Sequence, residues 1–390
     1  MDRIKLSLIS KKMCTGCYAC YNVCKNQAIE IEMTDDGFYK PFISKEKCAN
    51  CGICVEKCPA LYPEYLNNAE PKFYMGWSRN KQIRKSSSSG GVFSEIALYV
   101  LENGGIVYGA AWDEFLEVEH IKVDSVDKLY LLRGSKYIQS KVGLVYREIK
   151  EVLENTQKIV LFVGTPCQVA GLKKFVNNQR LITCDLICHG VSSYIPFKSF
   201  VKSFNDEIKK VDFRDKITGW RNYSLTYYGK KRKFSNVHYR DKFFVGYLKN
   251  YYLNEACYSC PFSRLPRQGD ITLGDFWGIE KEYDIKDEGV SLIIANNSVG
   301  IHVIEELRRN NRIELKEVEK DKAIEHNIRI CSGYYKRPKQ RDYIIEMIRK
   351  NGFNEVVNKE IKTQNDIIRL LSKIYAFAKN KLKKMLHADT

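Results

Sequence analysis

Residues 14–24 read CTGCYACYNVC, and residues 48–59 read CANCGICVEKCP. Each run is Cys-x2-Cys-x2-Cys-x3-Cys: Cys14, Cys17, Cys20 and Cys24, then Cys48, Cys51, Cys54 and Cys58, with Pro59 behind the last. Thiols this dense constrain the fold more than any other feature of the sequence. A chain of 390 residues, 44% hydrophobic and 28% charged, can bury a core without covalent cross-links. Its start, MDRIKLSLISKKMC, carries no apolar segment with a small-residue cleavage site. No apolar run approaches the ~20 residues of a spanning helix. The expectation is a cytoplasmic protein, in which the 14 cysteines are ligands or catalysts rather than disulfides.

The spacing is that of the two-cluster bacterial ferredoxins, in which three close thiolates hold three corners of a cubane and the other run supplies the fourth. It predicts one 4Fe–4S cluster on Cys14, Cys17, Cys20 and Cys58, and a second on Cys48, Cys51, Cys54 and Cys24. Zinc is the competing reading. A zinc site pairs two Cys-x2-4-Cys arms around one tetrahedral ion, which two four-cysteine runs fit poorly. The first run ends Cys24-Lys25 rather than Cys-Pro, and the connector is long, with Gly37, Phe38 and Pro41 marking an extra turn. Neither departure removes a ligand. A ferredoxin-like domain over residues 1–70 moves single electrons, and leaves open what those electrons reach.

From residue 73 helix and strand patterns alternate. Phe93, Ile96, Ala97, Val100 and Leu101 share one helical face, and Gly104 and Gly105 stop that helix. IVYGAAW reads as a strand. Val142, Val145, Tyr146, Ile149, Val152 and Leu153 give a second amphipathic helix. IVLFVG, QVAGLKKF and LITCDLI continue as strand, helix, strand. Continuous apolar strands between helices predict an α/β domain with a parallel or mixed sheet, behind an α+β ferredoxin-like unit. Ligands in such sheets bind beyond the carboxyl ends of the strands.

Three loops fall there. SSSSGGV at 86–92 opens a helix with hydroxyls, glycines and free N–H groups, an anion cradle or merely a capped flexible loop. RGSKYIQS at 133–140 carries Lys136, available for phosphate. GTPCQ at 164–168 carries Cys167. Cys184 sits inside an apolar strand and reads as a buried thiol, and Cys331 has no evident partner. Cys167 and Cys188 follow strands, while Cys257 and Cys260 form a lone Cys-x2-Cys in CYSCPF. These four thiols suit a shared metal site, a zinc site, a redox disulfide at Cys257/Cys260 or a catalytic thiol at Cys167. Spacing does not choose among them.

SSGG at 88–91, GSKYIQS at 134–140, GTPCQ at 164–168, ICHG at 187–190, CYSCPF at 257–262 and DITLGDFWG at 270–278 occur in this order. Together they resemble the coenzyme F420 hydrogenase/dehydrogenase beta-subunit family over residues 73–330. The resemblance divides this stretch into a flavin-binding region, 73–155, and a region with a third cluster, 156–330. It implies a flavin, read as FAD, and a further 4Fe–4S cluster on Cys167, Cys188, Cys257 and Cys260. It places flavin contacts at Ser88, Ser89, Gly90, Gly91, Ser135, Lys136, Tyr137 and Thr165. Asp270 and Asp275 are polar contacts near the flavin or turn residues, with Asp275 the one carried forward. His189 is the histidine nearest the site and a low-ranked acid/base candidate. The implied activity is a flavin-dependent oxidoreductase that exchanges electrons between clusters and a small organic substrate or the deazaflavin coenzyme. A non-catalytic electron-transfer subunit is the alternative. Its partner would be a ferredoxin or a hydrogenase/dehydrogenase-type subunit.

The net charge of +17 admits nucleic acid, an anionic membrane surface or an acidic partner. The charge is spread along the chain and no recognition motif accompanies it, so no nucleic acid is expected. Lys230, Lys231, Arg232 and Lys233 read as a solvated hairpin tip. Residues 331–390 form a basic helical tail. In it Ile367, Leu371, Ile374, Tyr375, Ala378, Leu382 and Met385 recur at helical spacing. Packing on its own domain is preferred over a membrane surface.

Overall fold

The computed structural model describes residues 12–67, 70–283, 286–330, 333 and 335–361. Cys331 and the amphipathic segment from Ile367 to Met385 lie outside these residues. The two cysteine runs each enter a one-turn helix from a left-handed residue, Tyr18 (φ 64°) before Ala19–Val23 and Gly52 (φ 75°) before Ile53–Glu56. Between them β1 (Ile29–Met33) and β2 (Tyr39–Ile43) pair as an antiparallel hairpin.

The tip of that hairpin explains the long connector. It inserts into the rest of the chain: Gly37 O accepts from Tyr194 N at 3.0 Å, and Asp36 O accepts from Ser193 Oγ at 2.7 Å. Phe38 is fully buried, and the Asp36 carboxylate accepts from Arg341 Nη2 at 2.9 Å. Gly37 has φ 77°, and a Cβ there would meet Ser193 Oγ at 2.5 Å, so both conformation and space call for glycine.

The body is built on one nine-stranded mixed sheet. Its strands are β3 (Lys72–Ser78), β4 (Ile106–Trp112), β5 (Val118–Val123), β6 (Ser140–Lys141), β7 (Val160–Gly164) and β8 (Leu181–Leu186), then β12 (Ile271–Asp275), β13 (Ser291–Ala295) and β14 (Ile313–Glu317). The order is β14-β3-β13-β12-β8-β7-β4-β5-β6. The four central strands, β12, β8, β7 and β4, run parallel. β3 pairs with both β13 and β14, so residues 73–155 and 156–330 build the same sheet. β7 and β13 are buried along their whole length, as apolar strands covered on both faces must be. The Val92–Glu102 helix packs Val92, Ile96, Val100 and Leu101 on one side. The Val145–Asn155 helix packs Tyr146, Ile149 and Leu153 on the other. It starts at Val145 rather than Val142 because Gly143 sits at φ 59°.

A second, antiparallel sheet has the order β11-β10-β9, with β9 (Ile208–Asp215), β10 (Ser224–Gly229) and β11 (Lys233–Val237). The basic segment is the exposed β10–β11 tip, where Lys230 and Lys233 pair with Glu207 and Asp215. This sheet shares an aromatic-rich core with the helices Tyr194–Lys202, Lys242–Leu248, Arg341–Asn351 and Phe353–Glu360. Cys184 lies in the main core with no exposed surface. Among the described residues no helix is long and apolar enough to cross a membrane.

Candidate functional site

The carboxyl ends of the parallel strands face one cavity of about 310 Å³. Gly164 and Thr165 after β7, Ile187 and Cys188 after β8, and Gly274 and Asp275 ending β12 line it. All four late cysteines line it too. Cys167 sits in the first turn of the Pro166–Lys173 helix, and Cys257 in the single turn Glu255–Ser259, with Cys260 just past it. Cys167 feels the charges of Cys260 and Cys188, and Cys257 those of Cys188 and Cys260. Burial pushes the Cys257 thiol up to about 12, and the neighbouring cysteines add to it.

The early cysteines group in two sets. Cys14, Cys17, Cys20 and Cys58 line a small cavity of about 30 Å³. Burial raises Cys14 to about 11, and Cys20 is raised by burial and then by Cys14, Cys17 and Cys58. At the second set, burial followed by Cys24, Cys51 and Cys48 raises Cys54 to about 11. Each group therefore takes one cysteine from the opposite run. The described cysteines carry no disulfide. Among the described residues no three His, Cys, Asp or Glu groups converge tightly enough for a single metal ion. Thiols grouped in fours are the donor set of a cubane iron–sulfur cluster.

The site of Cys14, Cys17, Cys20 and Cys58, the inner of the two ferredoxin-type sites (that of Cys48, Cys51, Cys54 and Cys24 being the outer), shares a wall with the large cavity. Thr15 and Gly16 line both cavities. Tyr146 Oη lies 2.8 Å from Cys17 O and 2.8 Å from Gln168 O, joining the first cysteine run to the Cys167 helix. Gly16 has φ 69°, and a Cβ there would lie 2.0 Å from Gln139 Nε2. The Cys14–Cys17 loop is therefore pressed against the 133–140 loop with no room for a side chain.

The hydroxyl- and glycine-rich loops divide into lining and support. Ser88, Ser89, Gly91, Ser135, Tyr137, Thr165 and Asp275 line the cavity. Gly91 (φ 90°) turns the chain into the Val92–Glu102 helix. Gly90 does not line the cavity. Its N–H donates to Ser291 Oγ at 3.0 Å, and a Cβ there would lie 2.6 Å from Gly76 O. It packs the loop closely on the sheet.

Lys136 also lines the cavity. Its ammonium donates to Leu131 O, Leu132 O and Arg133 O at 3.3, 3.1 and 2.9 Å, capping a 3-10 turn. All three donors are taken, so none is left for a phosphate. Burial pulls this amine down to about 7. Asp275 accepts from Arg214 Nη1 and Trp220 Nε1, both at 2.7 Å. Asp270 is a structural hub that accepts from Thr183 N and Oγ1 at 2.7 Å.

His189 lines the cavity, but its Nε2 lies 2.9 Å from Asn250 Oδ1 and its ring packs on Tyr247 and Tyr335. Burial lowers it to about 4, so it is neutral at pH 7 with one ring nitrogen committed.

Sequence patterns missed several residues here. His120, on the same face of β5 as Val118, is buried with Nε2 3.1 Å from Val163 O and Nδ1 3.0 Å from Ser140 Oγ. Ser140 Oγ accepts from Gln168 Nε2 at 2.8 Å, and Gln168 Oε1 accepts from Thr165 N at 2.9 Å. Thr165 Oγ1 ends the chain 3.1 Å from Cys167 Sγ. Three buried arginines, Arg214, Arg267 and Arg329, surround the site. They come from distant stretches, and the only sequence trace is that Arg267 follows the CYSCPF segment closely.

Comparison with known proteins bears on the same stretches. The model for the N-terminus of the coenzyme F420 hydrogenase/dehydrogenase beta subunit matches residues 73–145, and that for its C terminus matches residues 156–321. The chain belongs to this family. A 4Fe-4S dicluster domain matches residues 13–61, so this beta-subunit relative is an iron–sulfur redox protein of an oxidoreductase family. The curated coenzyme F420-dependent sulfite reductase of Methanocaldococcus jannaschii is 28% identical over 174 residues, 43% of this chain and 26% of that protein. The chain thus spans about a quarter of that relative's length. A chain of the F420-reducing nickel–iron hydrogenase complex from Methanosarcina barkeri is similar at 17% identity and a TM-score of 0.47, over 77% of this chain and 99% of that one.

Proposed function

We propose that this chain is a cytoplasmic flavin-dependent iron–sulfur oxidoreductase. Electrons pass between two ferredoxin-type clusters and a third cluster on Cys167, Cys188, Cys257 and Cys260, beside a flavin, read as FAD, in the large cavity. The substrate is a small organic molecule or a deazaflavin coenzyme. The observation that carries this reading is the wall shared by the inner ferredoxin site and the cavity, made of Thr15 and Gly16. Electron carriers on either side of one dipeptide are close enough for direct exchange.

A bound flavin would supply the conversion between two-electron and one-electron chemistry. The chain's own residues do the rest. Ser88, Ser89 and Gly91 line the cavity where the Val92–Glu102 helix begins and favour an anionic group there. Ser88 Oγ accepts from Ser135 N at 2.9 Å and ties the two loops together. Arg214 holds Asp275 and reaches Ser88 O at 3.3 Å, fixing the cavity wall. The apolar residues Val163, Phe262 and Leu273 keep water from the cysteines. The outermost ferredoxin thiol, Cys51, is exposed and suits exchange with a carrier protein.

The match to a quarter of a longer reductase favours a second reading, an electron-transfer subunit whose chemistry belongs to a partner. Anaerobic turnover of the isolated chain with a viologen donor separates the two. Reduction of the deazaflavin or another small acceptor supports the enzyme. Full cluster and flavin loading with no turnover of any acceptor contradicts it and leaves the subunit.

A further inference from the structure

Arg329 is 5% exposed and sits on two of the body cysteines. Its Nε donates to Cys188 O at 3.1 Å, its Nη2 to Cys257 O at 3.2 Å and its Nη1 to Gly333 O at 3.0 Å. The guanidinium lies 5.1 Å from the centroid of the Tyr335 ring. The other buried arginines have carboxylates: Arg267 meets Asp185 at 3.4 Å, and Arg214 meets Asp275 at 2.7 Å. Among the described residues Arg329 has carbonyl partners and no carboxylate. A buried cation without a counter-charge is strongly disfavoured. The negative charge facing this one comes from the cysteines, two of whose carbonyls it holds.

At the other two sites no described cation holds the backbone of two of the cysteines at once. At the inner ferredoxin site buried Lys40 faces Cys14, and Lys174, already paired with Glu64, faces Cys58. At the outer site the half-buried Arg147 donates from Nη2 to Cys24 O alone, at 2.6 Å, and Cys51 is exposed to water.

Charge, hydrogen bonds to sulfur and solvent exposure set the potential of a cluster. Burial alone would make the body site the hardest to reduce, because reduction adds negative charge. A unit positive charge in contact with two ligand residues opposes this. Taking a separation of about 6 Å and an effective dielectric of about 20, it favours the reduced form by roughly a hundredfold.

We propose that Arg329 makes the body four-cysteine site the electron sink of the chain, so that electrons run from the ferredoxin domain toward the cavity and the cavity ligand is reduced. This rests on the iron–sulfur reading above. A cluster held by Cys14, Cys17, Cys20 and Cys58 would give up one electron in each transfer to one held by Cys167, Cys188, Cys257 and Cys260. The electrons come from a low-potential one-electron carrier protein at the exposed outer site. Two such electrons, with protons from solvent, end on the organic acceptor. Arg329 is a positioning residue for charge and does not itself react.

Potentiometric titration of the anaerobically purified full chain, followed by electron paramagnetic resonance, tests this. The body signal is identified as the one lost in Cys260→Ala. In the unaltered protein it is expected to appear at the highest potential of the three. In Arg329→Gln its reduced-to-oxidised ratio at fixed potential should fall about a hundredfold, a shift of about 120 mV at 59 mV per tenfold for a one-electron couple, with the other two signals unmoved. Arg329→Lys should restore most of it. A body signal that is not the highest in the unaltered protein overturns the proposal, even where Arg329→Gln fails to load its cluster. So does an unmoved midpoint in a loaded Arg329→Gln. A preparation holding about eight irons per chain instead overturns the underlying third-cluster reading, so the two failures are distinct.

Discussion

Gly171 faces Cys17: a Cβ built on Gly171 would lie 3.3 Å from the Cys17 Sγ and 3.3 Å from its carbonyl oxygen. Gly171 is on the Pro166–Lys173 helix, one turn beyond Cys167. A glycine inside a helix costs about 0.5–1 kcal/mol relative to alanine. The contact with the ferredoxin half is what this cost secures.

Gly171→Val should therefore destabilise by about 1–3 kcal/mol, because overpacking outweighs the gain from replacing a helical glycine. It should also alter the electron paramagnetic resonance spectrum of the inner cluster while leaving the outer one unchanged. Denaturant unfolding and spectra of the same preparation check both. Equal stability with unchanged spectra would mean that the two halves are not in this contact.

The hairpin latch makes a second prediction. Arg341, 3% exposed, donates to Asp36 Oδ2 and Leu253 O at 2.9 Å and to Asp342 at 2.8 Å. Asp36 keeps some solvent exposure, so losing this charged hydrogen-bond partner costs about 2 kcal/mol, less than in a fully buried pair. Arg341→Gln should lower stability by about that amount and make the chain between residues 62 and 72 a readier target for proteolysis. The pH dependence has a defined sign. Hydrogen bonds from Thr34 and Arg341 outweigh burial and hold the Asp36 carboxyl below its usual value of 3.8. Its contribution is present above pH 3.8 and is lost as pH falls through the lower folded value. Asp36→Asn should flatten that acid limb.

How much of this was legible beforehand follows from what each residue type signals. Cysteine spacing reports ligand geometry directly, so the grouping of Cys14, Cys17 and Cys20 with Cys58 could be read from the chain. Apolar runs report buried strands, so β7 and β8 and the loops after them were also legible. Arg329 was not. In a chain with 64 Lys and Arg, one arginine far from the cysteines carries no mark of its burial, and only tertiary contact singles it out. Lys136 and Gly90 show that loop composition does not tell which contacts a residue makes. Both lie in loops of the right composition, but the fold turns Lys136 onto carbonyls and Gly90 onto the sheet. Gly37, Phe38 and Pro41 announced an extra turn without revealing that it docks on Ser193 and Tyr194.

His120 supplies a third prediction. Burial lowers it from 6.5 to about 4. A histidine kept neutral in the fold contributes stability that is fully present above pH 6.5 and is lost as pH falls from there toward 4. Up to about 3 kcal/mol is at stake over that window. His120→Asn should have a shallower loss of stability between pH 6.5 and 4 than the unaltered protein, measured by urea unfolding at each pH. Parallel pH profiles would contradict the buried neutral imidazole.

Cysteine substitutions separate ligand from filler. Cys184→Ala removes a buried sulfur from a packed core and should cost about 1 kcal/mol while leaving iron content unchanged. Cys257→Ala should remove about four irons per chain, those of one cubane. Iron loss in the first variant or full retention in the second would break the assignment of the body site.

The most direct measurement is the content of iron, acid-labile sulfide and flavin per chain after anaerobic purification. Three cubane clusters and one flavin predict about twelve irons, about twelve sulfides and one flavin. About eight irons without flavin would contradict the account, because the cavity at the ends of β7, β8 and β12 would then hold no redox group.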